Sequence, residues 1–208
     1  MDKCQNELLD LLNKYCKNKS VIEFGPLNGY VTEVILETNP KHLTCVEPDP
    51  MMIHELSGSK FSQIDELLSG TANDFYNESL QHKADVVISF GVIYHLHSPL
   101  HFIEQIVNKS LPEVVMLEPL FPWEEDRTCE GDFEVKGYYS PEPHNQTGFA
   151  FGDSKITNPL TLALHTDSKL FIKAFDILGY DFEQIEVTSK FLKNEHPTRI
   201  GIFNRRGG

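Results

Sequence analysis

Positive charge is scarce in this chain. Lysine and arginine number 18 against 31 aspartates and glutamates, giving a net charge of −13. A surface of that sign repels a polyanion, and outside Arg205-Arg206 no basic cluster offers a nucleic-acid footprint, which argues against nucleic acid as a partner. Cysteine is sparse as well. Cys4, Cys16, Cys45 and Cys129 form no Cys-x-x-Cys pair, so no zinc or dithiol motif is present, and Cys45 reads as a small core hydrophobe. No apolar run approaches membrane-spanning length. The first residues, Met-Asp-Lys-Cys-Gln-Asn, lack the apolar core of a signal peptide. The expectation is a cytoplasmic protein that does not enter a membrane, in which the Asn-x-Ser/Thr matches at Asn18, Asn77, Asn108 and Asn145 are chance occurrences.

What is present suits a single compact α/β domain over residues 1–208: the chain is 40% hydrophobic and 24% charged. Leu8, Leu9, Leu11, Leu12 and Tyr15 fall at helical spacing and predict an amphipathic helix over 3–17. Val21-Ile22-Glu23-Phe24 reads as a buried strand. The turn Gly25-Pro26-Leu27-Asn28-Gly29 follows, then a helix from Tyr30 to about Thr38. Leu43–Glu47 is the second strand, and Asp49-Pro50 has the form of an N-cap and first helical residue. A third strand is expected near Leu67–Thr71, with Phe61–Ile64 as the alternative. Asp85–Ser89 is the near-continuous apolar run of a parallel strand covered on both faces. Ser98-Pro99 opens a helix with the stripe Leu100, Ile103, Ile106 and Val107, and Val114–Leu117 is strand five. Residues 119–164 show no sustained period and read as an inserted lid or binding loop. Beyond them, Thr166-Asp167 is expected to cap a helix with the stripe Leu170, Phe171, Ala174, Phe175 and Leu178, stopped by Gly179. Phe182–Val187 and Arg199–Phe203 then close the sheet, joined through Lys193–Pro197.

The organising stretch is the glycine turn. Two glycines allow a tight reversal and close backbone approach to a ligand, and a helix N-terminus follows directly. Glu47 ends the next strand at about the distance where an acid accepts from ribose hydroxyls. The dinucleotide fingerprint Gly-x-Gly-x-x-Gly does not fit Gly25–Gly29. At these residues the chain resembles the class I S-adenosylmethionine-dependent methyltransferases. Glu23, Gly25 and Gly29 match their first motif, although Leu27 replaces its middle glycine, and Asp85–Gly91 is similar to their fourth strand and the loop leaving it. The resemblance implies a three-layer Rossmann-like fold with a mostly parallel seven-stranded sheet, an antiparallel last strand and the order 3-2-1-4-5-7-6. It also implies S-adenosylmethionine as cofactor. Glu23, Gly25, Gly29, Glu47, Asn73, Asp74 and Phe90 would bind it, with Asn73 and Asp74 near the adenine. Met51 would pack on adenine or fill the core.

Gly91–Pro99 leaves the carboxyl end of strand four, where open α/β sheets place active sites. Locally it resembles the enzymes that carboxymethylate the wobble uridine of transfer RNA. Tyr94 is thereby expected near the transferred group. His95 is the first candidate for a base that takes a proton from an alcohol or phenol, with His97 second; a hydrogen-bonded core role for His95 stands beside that reading, and for His97 and His101 a solvent-facing place on the loop and helix. Glu118 points to the same cleft by topology, and nothing in the spacing specifies a metal. The leading expectation is methyl transfer to oxygen or nitrogen of a small polar acceptor. The alternatives are methyl or carboxymethyl transfer to tRNA, and a nucleoside-binding module without turnover.

Overall fold

The computed structural model describes residues 3–72, 83–96, 98–118, 137–142, 161–166, 168–187 and 198–207. The amphipathic helix α1 (Lys3–Cys16) leads into β1 (Ser20–Phe24), followed by α2 (Tyr30–Glu37), β2 (His42–Glu47) and α3 (Pro50–Leu56). Next come β3 (Glu66–Ser69), β4 (Val86–Phe90) and α4 (Pro99–Gln105), which runs on into a π-helical turn at Ile106–Ser110, and then β5 (Val114–Glu118). A separate hairpin of β6 (Gly137–Glu142) and β7 (Thr161–Thr166) precedes α5 (Ser168–Ile177), β8 (Tyr180–Val187) and β9 (Thr198–Arg205).

The main sheet has seven strands in the order β3-β2-β1-β4-β5-β9-β8. Strands β1 to β5 pair in parallel, and β9 runs antiparallel to both β5 and β8. With the hairpin set aside, this is the expected order 3-2-1-4-5-7-6. The fold is the three-layer, Rossmann-like arrangement anticipated from the motifs.

Alternation along each strand sorts side chains onto the two faces. Val21, Leu43, Cys45, Val86, Ile88 and Met116 pack with α1 and α2 through Leu8, Leu12, Val34 and Ile35. Ile22, Val87, Val115, Leu117 and Phe203 pack on the other side with Phe102 and Ile103 of α4 and with Phe171 and Phe175 of α5. Aromatic contacts reinforce that second layer. Phe24 meets Phe102 edge to face, and Phe175 stacks on Phe203 with centroids 3.9 Å apart.

Several boundaries differ from the sequence expectation. Strand three lies at Glu66–Ser69, while Ser59–Phe61 is a 3-10 turn that buries Phe61. Leu100 is 38% exposed; Pro99 and Phe102 take its place in the buried stripe of α4. Thr166 ends β7, so the following helix starts only at Ser168, and the strand after it begins at Tyr180. Asn73, Asp74, His97, Asp167 and the Lys193–Pro197 connection lie outside the described residues.

Candidate functional site

The site grows from the carboxyl ends of β1, β2, β4 and β5. After Phe24 the chain leaves the sheet in a left-handed conformation at Gly25 (φ 69°), repeats it at Leu27 (φ 51°), and again at Gly29 (φ 78°), which is the N-cap of α2. The Gly25 amide still donates to the Val46 carbonyl of β2, 2.9 Å away. Both glycines are also demanded by packing. A Cβ at Gly25 would stand 2.5 Å from Val92 Cγ2, and one at Gly29 would stand 2.2 Å from Phe61 Cζ. The close approach of Val92 to Gly25 brings the β1 turn against the loop that leaves β4.

Glu47 closes the other side of the turn. Its Oε2 accepts from the Leu27 amide (3.0 Å) and its Oε1 from the Asp49 amide (2.9 Å). The residue is only 1% exposed, so it is not a surface acid at a strand end. Burial pushes its carboxyl above the ordinary range, while the two amide bonds pull the other way. Each carboxylate oxygen keeps a further acceptor site, so the group can grip the turn and still receive hydroxyls from a ligand. Asp49 in turn caps α3, its side chain accepting from the Met51 amide at 2.8 Å. Met51 itself is 64% exposed and does not fill the core.

Glu23 is placed differently. Its Oε2 accepts from Thr32 Oγ1 of α2 (2.8 Å) and from Cys45 Sγ of β2 (3.6 Å), all within the sheet–helix interior. Burial raises its carboxyl to about 7. It therefore ties α2, the first helix after the turn, to β1 and β2.

The second half of the site comes from β4 and β5. Phe90, half-buried, ends β4 in register with Glu118 at the end of β5. The Gly91 amide donates to the Glu118 backbone carbonyl at 2.8 Å, and Gly91 takes φ 75°. The chain then forms a 3-10 turn at Ile93–His95, closed by the His95 amide on the Val92 carbonyl (2.9 Å). Tyr94 and His95 thus sit on one short turn, anchored by fully buried Ile93. Strand β7, whose first residues belong to the 119–164 segment, packs on this turn. His101, on α4, is exposed and 3.6 Å from Glu104 Oε2, away from this arrangement.

Sequence places Glu118 at the cleft by topology alone. It is 8% exposed, burial raises its carboxyl to about 7, and its Oε1 is buried with no hydrogen-bond partner among the described residues. The signal available was a glutamate closing the otherwise apolar run Val114-Val115-Met116-Leu117. The role of Leu27 was hidden for the opposite reason: its departure from glycine conceals that the backbone keeps the glycine conformation.

A family model described as methyltransferase domain matches residues 2–127, which carry β1 to β5, the Gly25–Gly29 turn, Glu47, the Ile93–His95 turn and Glu118. The chain belongs to the methyltransferase domain family. The tRNA U34 carboxymethyltransferase of Aliarcobacter butzleri is 32% identical over 96 residues, covering 44% of this chain and 30% of that protein. Its counterpart in Pseudoalteromonas atlantica is 26% identical over 96 residues, or 46% of this chain and 30% of that protein. The chain therefore spans less than a third of the length of these curated relatives. Among solved structures, the N-terminal domain of EvdMO1 in the presence of SAH and D-fucose superposes with a TM-score of 0.64 at 15% identity, covering 98% of this chain and 83% of that one. Magnesium protoporphyrin IX methyltransferase from Synechocystis PCC 6803 with bound SAM gives 0.59 at 10% identity, covering 97% and 77%. At such identities these structures speak to the methyltransferase fold, which they share over nearly the full chain.

Proposed function

We infer that this methyltransferase domain binds S-adenosylmethionine at the β1–α2 turn and directs its methyl group to an oxygen or nitrogen of a small polar acceptor. The observation that carries the reading is Glu47, a buried carboxylate bonded to amides on both sides of the turn with acceptor capacity left for a ribose diol. Charge-assisted hydrogen bonds of that kind contribute roughly 1.5–3 kcal/mol each. Gly25, Leu27 and Gly29 hold the backbone where the methionine end would lie, with Glu23 bracing the helix behind them. Phe90 borders the slot, and Asn73 and Asp74 are assigned to the adenine side by the family resemblance. The cofactor, when bound, supplies a sulfonium methyl that is displaced in line; the protein supplies alignment and exclusion of water.

His95 is the proposed base for a hydroxyl acceptor, and Tyr94 its neighbour at the transferred group. The packing of β7 on their turn supports an acceptor seat between the hairpin and the end of β4. The test is to incubate the protein with S-adenosylmethionine and panels of sugars, phenols and amines, following release of S-adenosylhomocysteine. Acceptor-dependent release that His95→Ala reduces at unchanged donor affinity supports the assignment. Release that survives the substitution intact removes His95 as base.

A second reading, transfer of a methyl or carboxymethyl group to tRNA, is favoured by the two relatives named above. The charge of −13 weighs against it. Unmodified tRNA offered as acceptor, beside the small molecules, separates the two.

A further inference from the structure

Four side chains at the carboxyl edge share one face of the sheet. Glu23 follows Val21 on β1, Glu47 follows Cys45 on β2, Phe90 follows Ile88 on β4, and Glu118 follows Met116 on β5. The preceding residue of each pair packs in the α1–α2 layer. In the sheet order β2-β1-β4-β5 this places Glu47 at one end of a row and Glu118 at the other, three strand spacings or roughly 14 Å apart. Gly25 and Gly91 turn the backbone away between them, joined through the contact of Gly25 with Val92.

The two end carboxylates are treated differently by their surroundings. Glu47 spends one lone pair of each oxygen on the turn. Glu118 has Oε1 buried and unmatched, and makes no ion pair among the described residues. An unmatched buried carboxylate oxygen is costly, and a cation placed beside it recovers that cost strongly in a medium of low dielectric.

We propose that Glu118 is a charge-selecting residue of the donor site: its carboxylate favours the cationic sulfonium donor over the neutral thioether product, and disfavours a donor carrying a carboxylate on the transferred carbon. The proposal rests on the reading of the β1–α2 turn as the donor's seat. It gives the domain a means of releasing spent product, because the favourable charge contact vanishes with the sulfonium. It also argues for methyl over carboxymethyl transfer by this chain, since an acid at the far end of the row repels a second one.

Calorimetric titration of the purified protein at pH 8.5, above the range in which Glu118 holds its proton, tests this without any acceptor. Three probes are needed: S-adenosylmethionine, S-adenosylhomocysteine and carboxy-S-adenosylmethionine. In the wild type the first should bind more tightly than the other two. Glu118→Gln keeps size and burial while removing charge; it should weaken S-adenosylmethionine binding about tenfold, leave S-adenosylhomocysteine unchanged and tighten the carboxylated donor. Glu118→Asp, which retains the charge but withdraws it by one methylene, should give an intermediate ratio, and it decides the matter if the Gln variant does not fold. Equal effects of Glu118→Gln on sulfonium and thioether, or none on either, overturn the proposal while the donor site stands. Failure of the wild type to bind either S-adenosylmethionine or S-adenosylhomocysteine overturns the donor site itself, and the proposal with it.

Discussion

Leu27 shows how a single residue can depart from a motif and keep its geometry. Its φ of 51° crowds Cβ against the backbone, at a cost of about 1–2 kcal/mol relative to the right-handed region. The Leu27 amide is nonetheless held on Glu47. Leu27→Gly should therefore raise stability, by up to about 1 kcal/mol after the greater freedom of glycine in the unfolded chain is counted. Urea denaturation would detect this as a higher midpoint at unchanged slope. Gly29→Ala should do the reverse. Its Cβ would collide with Phe61 and Leu56 at a positive φ, and a loss of about 2 kcal/mol or more is expected in the same assay.

Among the elements, those buried on both faces were the most legible. β1, β2, β4 and β5 read directly from apolar runs because a central parallel strand has no solvent side to interrupt it. Strand β3 is only Glu66-Leu67-Leu68-Ser69, with both ends exposed, so its apolar signal is two residues long and does not fix where the strand begins. The β6–β7 hairpin is not legible in sequence because Pro141 and the surrounding prolines and glycines mask the period of two. The turn was legible where spacing alone places a residue, and Glu47 bonds to it through the Leu27 amide. It was illegible where burial decides the role, as for Glu118 and for the bond between Glu23 and Thr32. The last two strands depend on a tie that sequence does not announce. Tyr180 at the start of β8 is buried and donates through its hydroxyl to the Pro112 carbonyl at 2.7 Å, beside Phe175. Tyr180→Phe leaves that carbonyl unmatched and should cost about 1–2 kcal/mol, visible as a lower melting temperature with little change in donor binding.

At the scale of the whole molecule, two buried acids couple stability to pH. Burial raises both Glu23 and Glu118 to about 7 from the ordinary value of 4.5. Between those values the folded protein holds protons that the unfolded chain has released. Their contribution to stability is thus fully present below about pH 4.5 and is lost as pH rises through 7. The loss is up to about 3 kcal/mol for each group. Denaturation midpoints should accordingly fall from pH 5.5 to pH 8.5. Glu23→Gln, which can still accept from Thr32, should flatten that fall and stabilise the protein at the higher pH. A fall as steep as that of the wild type would mean Glu23 does not titrate as described. Among the described residues no helix is long and apolar enough to cross a membrane.

The central claim is that the β1–α2 turn, gripped by Glu47, is a seat for S-adenosylmethionine. Its most direct test is calorimetric titration of the wild type and of Glu47→Ala with S-adenosylmethionine, S-adenosylhomocysteine and NAD. The account predicts micromolar binding of the first two to the wild type, none of NAD, and at least tenfold weaker binding in a Glu47→Ala variant that melts as a folded protein. Preference for NAD, binding of none of the three, or unchanged affinity in the variant would contradict it.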